Sequence, residues 1–126
     1  MSVISINTLE EFEKAIQDEQ AFIKVSTTTC APCKMMSPLF EKVSDESEEG
    51  SFYSVEVDTV TPELAKYAQD VLNISTVPVF FKYASGTQDK RVSGAFPKTQ
   101  LVSKLDIKLF NSDIVISLSI KLSSYL

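Results

Sequence analysis

Short apolar runs and helical stripes succeed one another along most of this chain. Val3 to Ile6 alternates apolar and polar positions and predicts a short strand. Thr8-x-x-Glu11 then has the form of a capping box, in which the side chains of a threonine and a glutamate satisfy orphan amides at a helix start. Behind it, Leu9, Phe12, Ala15 and Ile16 fall at helical spacing, and Asp18-Glu19-Gln20 closes the helix. Ala21-Phe22-Ile23-Lys24-Val25 is an apolar run that reads as a buried strand, extending to Ser26. Lys34 to Ser47 predicts a second helix carrying Met35, Met36, Leu39, Phe40 and Val43, with a kink at Pro38. The acidic segment Ser44 to Ser51 reads as a loop, and Phe52 to Asp58 as a third strand through Phe52, Val55 and Val57.

Thr61-Pro62 supplies an N-cap and a proline at the first helical position. The helix from Glu63 to about Leu72 is expected to pack through Leu64, Tyr67, Ala68 and Val71. Val79 to Tyr83 is a fourth strand, Ala84 to Thr87 a turn, and Arg91 to Ser93 a short last strand. A final helix begins near Pro97-Lys98-Thr99 and uses Leu101, Val102, Leu105 and Leu109. The order β-α-β-α-β-α-β-β-α predicts an α/β fold, a mixed sheet with helices on both faces.

Composition narrows the class. With 126 residues, 44% apolar and 23% charged, the chain has the makeup of one globular domain. A net charge of −5 argues against nucleic acid or an anionic membrane as the main partner. No run approaches the length of a membrane-spanning helix. Met1 to Asn7 has neither a basic region nor a long apolar core, so no secretory signal is expected. The two cysteines stand too close together to make a disulfide framework, and a reducing cytosol is the expected compartment.

Those cysteines carry the candidate chemistry. Cys30-Ala31-Pro32-Cys33 lies where a strand hands over to a helix. The first turn of a helix has amide N–H groups without partners and a partial positive charge, so a thiolate there is stabilised. Cys30 is expected at or just before the helix start with its sulfur toward solvent, and Cys33 about one turn on, on the same side and more buried. Cys30 is then the attacking thiolate and Cys33 the resolving thiol of a disulfide exchange. Pro32 removes an N–H in the first turn, where it is least missed. The alternatives are two inert core cysteines or half of a zinc site. The chain has no histidine and no second pair, and two thiolates alone make a poor structural zinc site, so no metal or cofactor is expected.

Taken together, the motifs resemble the thioredoxin family over roughly residues 1 to 110. They are Cys30-Ala31-Pro32-Cys33-Lys34-Met35, Pro38, Val55-Glu56-Val57-Asp58, Thr76-Val77-Pro78 and Ser93-Gly94-Ala95, in this order. The resemblance implies the thioredoxin fold, a central mixed sheet of about five strands flanked by about four helices. It implies a thiol–disulfide oxidoreductase that reduces protein disulfides, with the lowered thiol pKa that is a known property of thioredoxins. It implies a cis Val77–Pro78 bond facing the cysteines, an ordinary trans turn being the alternative. Thr29, Ala31, Pro32, Val77, Pro78, Gly94 and Ala95 would line the substrate groove, with the Val77 backbone pairing with an extended client segment. The implied partners are disulfide-containing client proteins, with a reductase or glutathione as electron donor.

The chain departs from the family in three places. Thr29 stands where the family usually has tryptophan before the first cysteine, and the chain has no tryptophan. Lys24 stands where the family usually has a buried aspartate that moves a proton at the resolving thiol, and Ser54 where a charged partner is often found. A buried Lys24 would modulate the site as a neutral amine base or, if charged, favour thiolate; otherwise it reaches outward or pairs with a carboxylate such as Glu56. Residues 111–126 form an extension with apolar residues at Ile114, Ile116, Leu118, Ile120 and Leu122, a strand pattern that could add to a sheet edge, form a dimer contact with another chain, or stay unfolded as a disordered tail. The losses at 24 and 29 and this extension motivate a second reading, a thioredoxin-fold interaction module with weak or no turnover.

Overall fold

The computed structural model describes residues 2–109. The extension at residues 111–126, expected as an extra strand, a dimer contact or a disordered tail, lies outside the described residues. The elements are β1 (Ile4–Ser5), α1 (Leu9–Ala15), β2 (Ala21–Ser26), α2 (Ala31–Glu46), β3 (Ser51–Glu56), α3 (Pro62–Asp70), β4 (Val79–Ala84), β5 (Thr87–Ser93) and α4 (Lys98–Leu105). The sheet order is β1-β3-β2-β4-β5. β1, β3 and β2 run parallel, and β4 and β5 join antiparallel. This is the predicted mixed sheet with four helices.

Strand parity divides the core. Ile23, Val25, Phe81 and Tyr83 pack with Phe12 of α1 and Leu64 and Ala68 of α3. Phe22, Phe52 and Phe80 point to the other face, against Met36 and Phe40 of α2 and Leu101 and Leu105 of α4. The central strand β2 is buried along its whole length, Lys24 included. By position Lys24 shares its face with Phe22 and therefore turns toward α2, the helix that begins at the cysteines.

Several boundaries differ from expectation. α2 begins at Ala31, three residues before the apolar stripe places it, with Cys30 as its cap and Pro32 in its first turn, as the cysteine motif predicts. It runs through Pro38 and on to Glu46, within one residue of the expected end at Ser47, so the first residues of the segment also read as an acidic loop are helical, with Ser44 fully buried. β5 starts at Thr87 rather than Arg91. In place of Val71, which is 56% exposed, Leu72 enters the core, since the chain turns as α3 ends and Leu72 N–H bonds back to Tyr67 O. α4 stops at Leu105 because Asp106 adopts a left-handed conformation. Leu109 is buried beyond the helix, bridged to Ser47.

The capping box forms as its sequence predicts. Thr8 Oγ1 accepts from Glu11 N–H at 3.1 Å, and Glu11 Oε1 accepts from Thr8 N–H at 3.0 Å. Thr8→Ala is expected to destabilise the fold by about 1 kcal/mol, seen as a lower urea midpoint at unchanged slope.

Candidate functional site: a helix-capped cysteine pair

Cys30 is the N-cap of α2, in extended conformation, and its sulfur accepts the Cys33 N–H at 3.1 Å. A sulfur thus takes the place that a serine or aspartate oxygen usually fills at a helix start. The fold brings the cysteines together as a disulfide with Cα atoms 5.2 Å apart. Cys30 is part-exposed, whereas Cys33 is 2% exposed on the core side of the helix. Only the first sulfur can meet a molecule from outside.

Opposite lies the segment before β4. Val77–Pro78 is cis. Val77 O sits 3.7 Å from Cys30 Sγ, a contact rather than a hydrogen bond while that sulfur carries no proton. Pro78 is buried, and its carbonyl accepts the Gly94 N–H at 2.9 Å. Gly94 has φ +107, a conformation that side chains disfavour, and the space where a Cβ would project is open. The structure therefore gathers Cys30, Cys33, Val77, Pro78 and Gly94. Ala31 and Pro32 are exposed in the first turn of α2; Thr29 and Ala95 are exposed next to Cys30 and Gly94 in sequence.

Two anchors hold the segments that flank the pair. Thr28 donates its N–H to both Asp58 oxygens at 3.1 Å and its hydroxyl to Oδ2 as well, tying the loop before Cys30 to the turn after β3. These bonds, the hydroxyl one foremost, hold the Asp58 carboxyl below its usual range. Arg91 donates to Leu72 O and to Asn73 O, the latter at 3.0 Å, and lies over the Phe81 ring. It thereby fastens the turn after α3 that leads toward Val77. Neither anchor was legible in the sequence, since Thr28 and Asp58 stand 30 residues apart and Arg91 and Asn73 18.

Lys24 is 7% exposed and does not reach outward. Its ammonium donates to Ser37 Oγ at 2.6 Å, and Ser37 Oγ donates to the carbonyl of Cys33 at 3.0 Å. Burial pushes the Lys24 pKa down, with Glu56 and Glu41 opposing that shift by charge. Ser37 is the residue that sequence reasoning missed. The available signal was its position four residues after Cys33, where a helical serine can bond back to the preceding turn.

A part-exposed sulfur at a helix cap, joined to a buried second sulfur, defines a dithiol–disulfide exchange site in an α/β fold. A family model for thioredoxin matches residues 3–107. A thioredoxin of Mycoplasma genitalium is 31% identical over 111 residues, covering 87% of this chain and 99% of its own. Thioredoxin-1 of Saccharomyces cerevisiae is 34% identical over 96 residues, covering 75% of this chain and 88% of its own. The solved structure of Malassezia sympodialis thioredoxin aligns with a TM-score of 0.71 at 31% identity, over 83% of this chain and 90% of that one. The chain belongs to the thioredoxin family and is a thiol–disulfide oxidoreductase acting through Cys30 and Cys33; the alternative of a module without turnover is not favoured.

Proposed function

We propose that this protein works as a reductant of disulfides in client proteins, with Cys30 as the attacking thiolate and Cys33 as the resolving thiol. Cys30 Sγ attacks one sulfur of a client disulfide; a Cys30–client bond forms and the other client sulfur leaves as a thiolate. Cys33 then displaces the client from Cys30, giving the Cys30–Cys33 disulfide and a second client thiol. Two electrons pass from the cysteine pair to the client, and a reductase or glutathione returns them. An extended client segment lies along Val77, Pro78 and Gly94, paired with the Val77 backbone, with Thr29, Ala31, Pro32 and Ala95 at the margins. The cytosol is the proposed compartment, where a reducing thiol pool keeps the pair supplied.

The observation that carries this reading is the placement of Cys30 Sγ, part-exposed, on the Cys33 amide and 3.7 Å from Val77 O. Insulin with dithiothreitol as donor tests it. Catalytic amounts of the protein should raise the rate of insulin disulfide reduction well above that of dithiothreitol alone. Equal rates with and without protein would overturn the reductase reading. Repeating the assay with glutathione, or with NADPH and a thioredoxin reductase, identifies the donor by which one sustains turnover.

A further inference from the structure

Lys24 is a buried cation to which the exchange steps above assign no task. Resting on the reading of Cys30 as attacking and Cys33 as resolving thiol, we propose that Lys24, seated through Ser37 beneath the first turns of α2, is a positioning residue. It stabilises the resolving sulfur as a thiolate and so makes the Cys30–Cys33 pair a stronger oxidant than the same fold with an uncharged residue there.

The geometry is a chain of two hydrogen bonds. Ser37 commits its proton to the Cys33 carbonyl at 3.0 Å, so its oxygen is left to accept, and Lys24 fills that role at 2.6 Å. The lysine head is thereby tied through one hydroxyl to the backbone of the resolving cysteine. Cys33 is 2% exposed and Lys24 7%. A thiolate desolvated to that degree is disfavoured unless an opposite charge stands near, and charges interact more strongly where water is excluded. The groups facing Lys24 are Ser37 and Glu41 from α2, Glu56 from the end of β3, and its register partners Ser54 on β3 and Phe80 on β4. A thiolate at Cys33 adds negative charge to this set and favours the ammonium in turn, so each ion supports the other.

The second exchange step then balances as follows. In the mixed disulfide, Cys33 loses its thiol proton to water. Its thiolate attacks Cys30 Sγ, the Cys30–Cys33 bond forms and the Cys30–client bond breaks. The client sulfur leaves as a thiolate and takes a proton from water. Lys24 stays an ammonium and exchanges no proton.

Lys24→Met in the full chain removes the charge and keeps an unbranched side chain. Burying the ammonium lowers its pKa, so the folded chain binds fewer protons than the unfolded one between that lowered value and 10.5. Stability from this group therefore rises with pH across that window, and at neutral pH the buried charge is unfavourable to the fold. The methionine variant is expected to melt at or above wild type. A chromogenic aryl disulfide separates the steps: the first equivalent of aryl thiol reports attack by Cys30 and the second reports resolution by Cys33. In Lys24→Met the first phase should change less than about twofold, and the second should slow about tenfold and need higher pH to reach its plateau. The equilibrium with glutathione, measured at a pH where Cys33 of the wild type is ionised in the reduced protein, should move about tenfold toward the protein disulfide, about 30 mV more negative. Ser37→Ala, which keeps the charge and cuts the tie, should shift the same readouts in the same direction by about threefold. Second-phase rates and glutathione equilibria matching wild type in both variants would overturn the proposal while leaving the reductase reading intact. A wild-type protein that never releases the second equivalent would instead remove the exchange reading on which it rests.

Discussion

Cys30→Ser is expected to reduce insulin no faster than dithiothreitol alone, whereas Cys33→Ser keeps the first step and becomes trapped on its client. The two cysteines differ in access and in what their sulfurs meet. Cys30 Sγ is reachable from solvent and receives the Cys33 amide at the positive end of a 16-residue helix. A thiolate there has a hydrogen bond, a favourable dipole and an open approach. Cys33 is almost sealed from solvent, so it cannot reach an external disulfide but lies against the Cys30 sulfur it must attack. Serine at 30 cannot form the mixed disulfide at all. Serine at 33 leaves that bond formed and unresolved, so one client molecule per chain should remain attached through Cys30 and be released by dithiothreitol. Intact mass after mixing with a disulfide-bonded peptide decides the matter. The reverse pattern, an adduct on Cys30→Ser and none on Cys33→Ser, would exchange the two roles.

How much of this could be read from the chain depends on the distance over which each feature is determined. The order of elements was legible because Phe12, Ala15 and Ile16 repeat at helical spacing and the buried run at Ala21 to Val25 does not. The start of α2 was legible from the cysteine motif, which places Cys30 at the helix start and Pro32 in the first turn, but not from apolar periodicity, which begins only after Lys34. The end of α2, read both as helix to Ser47 and as loop from Ser44, resolves as helix to Glu46: Ser44 is polar, yet it is fully buried with its hydroxyl on Glu41 O. At the site, the pair itself was legible because its residues are neighbours in sequence. The groove was legible only through family resemblance, since Val77 meets Cys30, and Gly94 meets Pro78, by tertiary packing. Lys24 marks the limit. Parity with Phe22 says which way the lysine points, but nothing in the pattern says that a part-buried serine 13 residues on will accept its hydrogen bond.

Phe40→Ala is expected to cost about 3–5 kcal/mol and to lower the melting temperature by roughly 10–20 °C. Phe40 is fully buried on α2 and packs between two rings, Phe52 at 5.4 Å and Phe80 at 5.6 Å, with Phe22 stacked on Phe52 at 4.9 Å beyond. Truncation leaves a ring-sized void bordered by two strands and a helix, which cannot all close on it. Phe96, half-buried and touching only the Phe80 end of this row at 5.8 Å, offers a control; its alanine variant should cost about 1–2 kcal/mol. Urea unfolding of both variants in the oxidised state, with slopes held equal, reads the difference. A Phe40→Ala loss no larger than that of Phe96→Ala would mean that the ring row does not anchor α2. The consequence for chemistry is separate. The cap at Cys30 is built from hydrogen bonds at the first turn of α2, two turns away from Phe40, so folded Phe40→Ala protein assayed below its transition should retain near wild-type exchange per molecule. Stability would then come from the aromatic face of α2 and reactivity from its tip, and a large loss of exchange in the folded variant would show that the tip depends on the packing behind it.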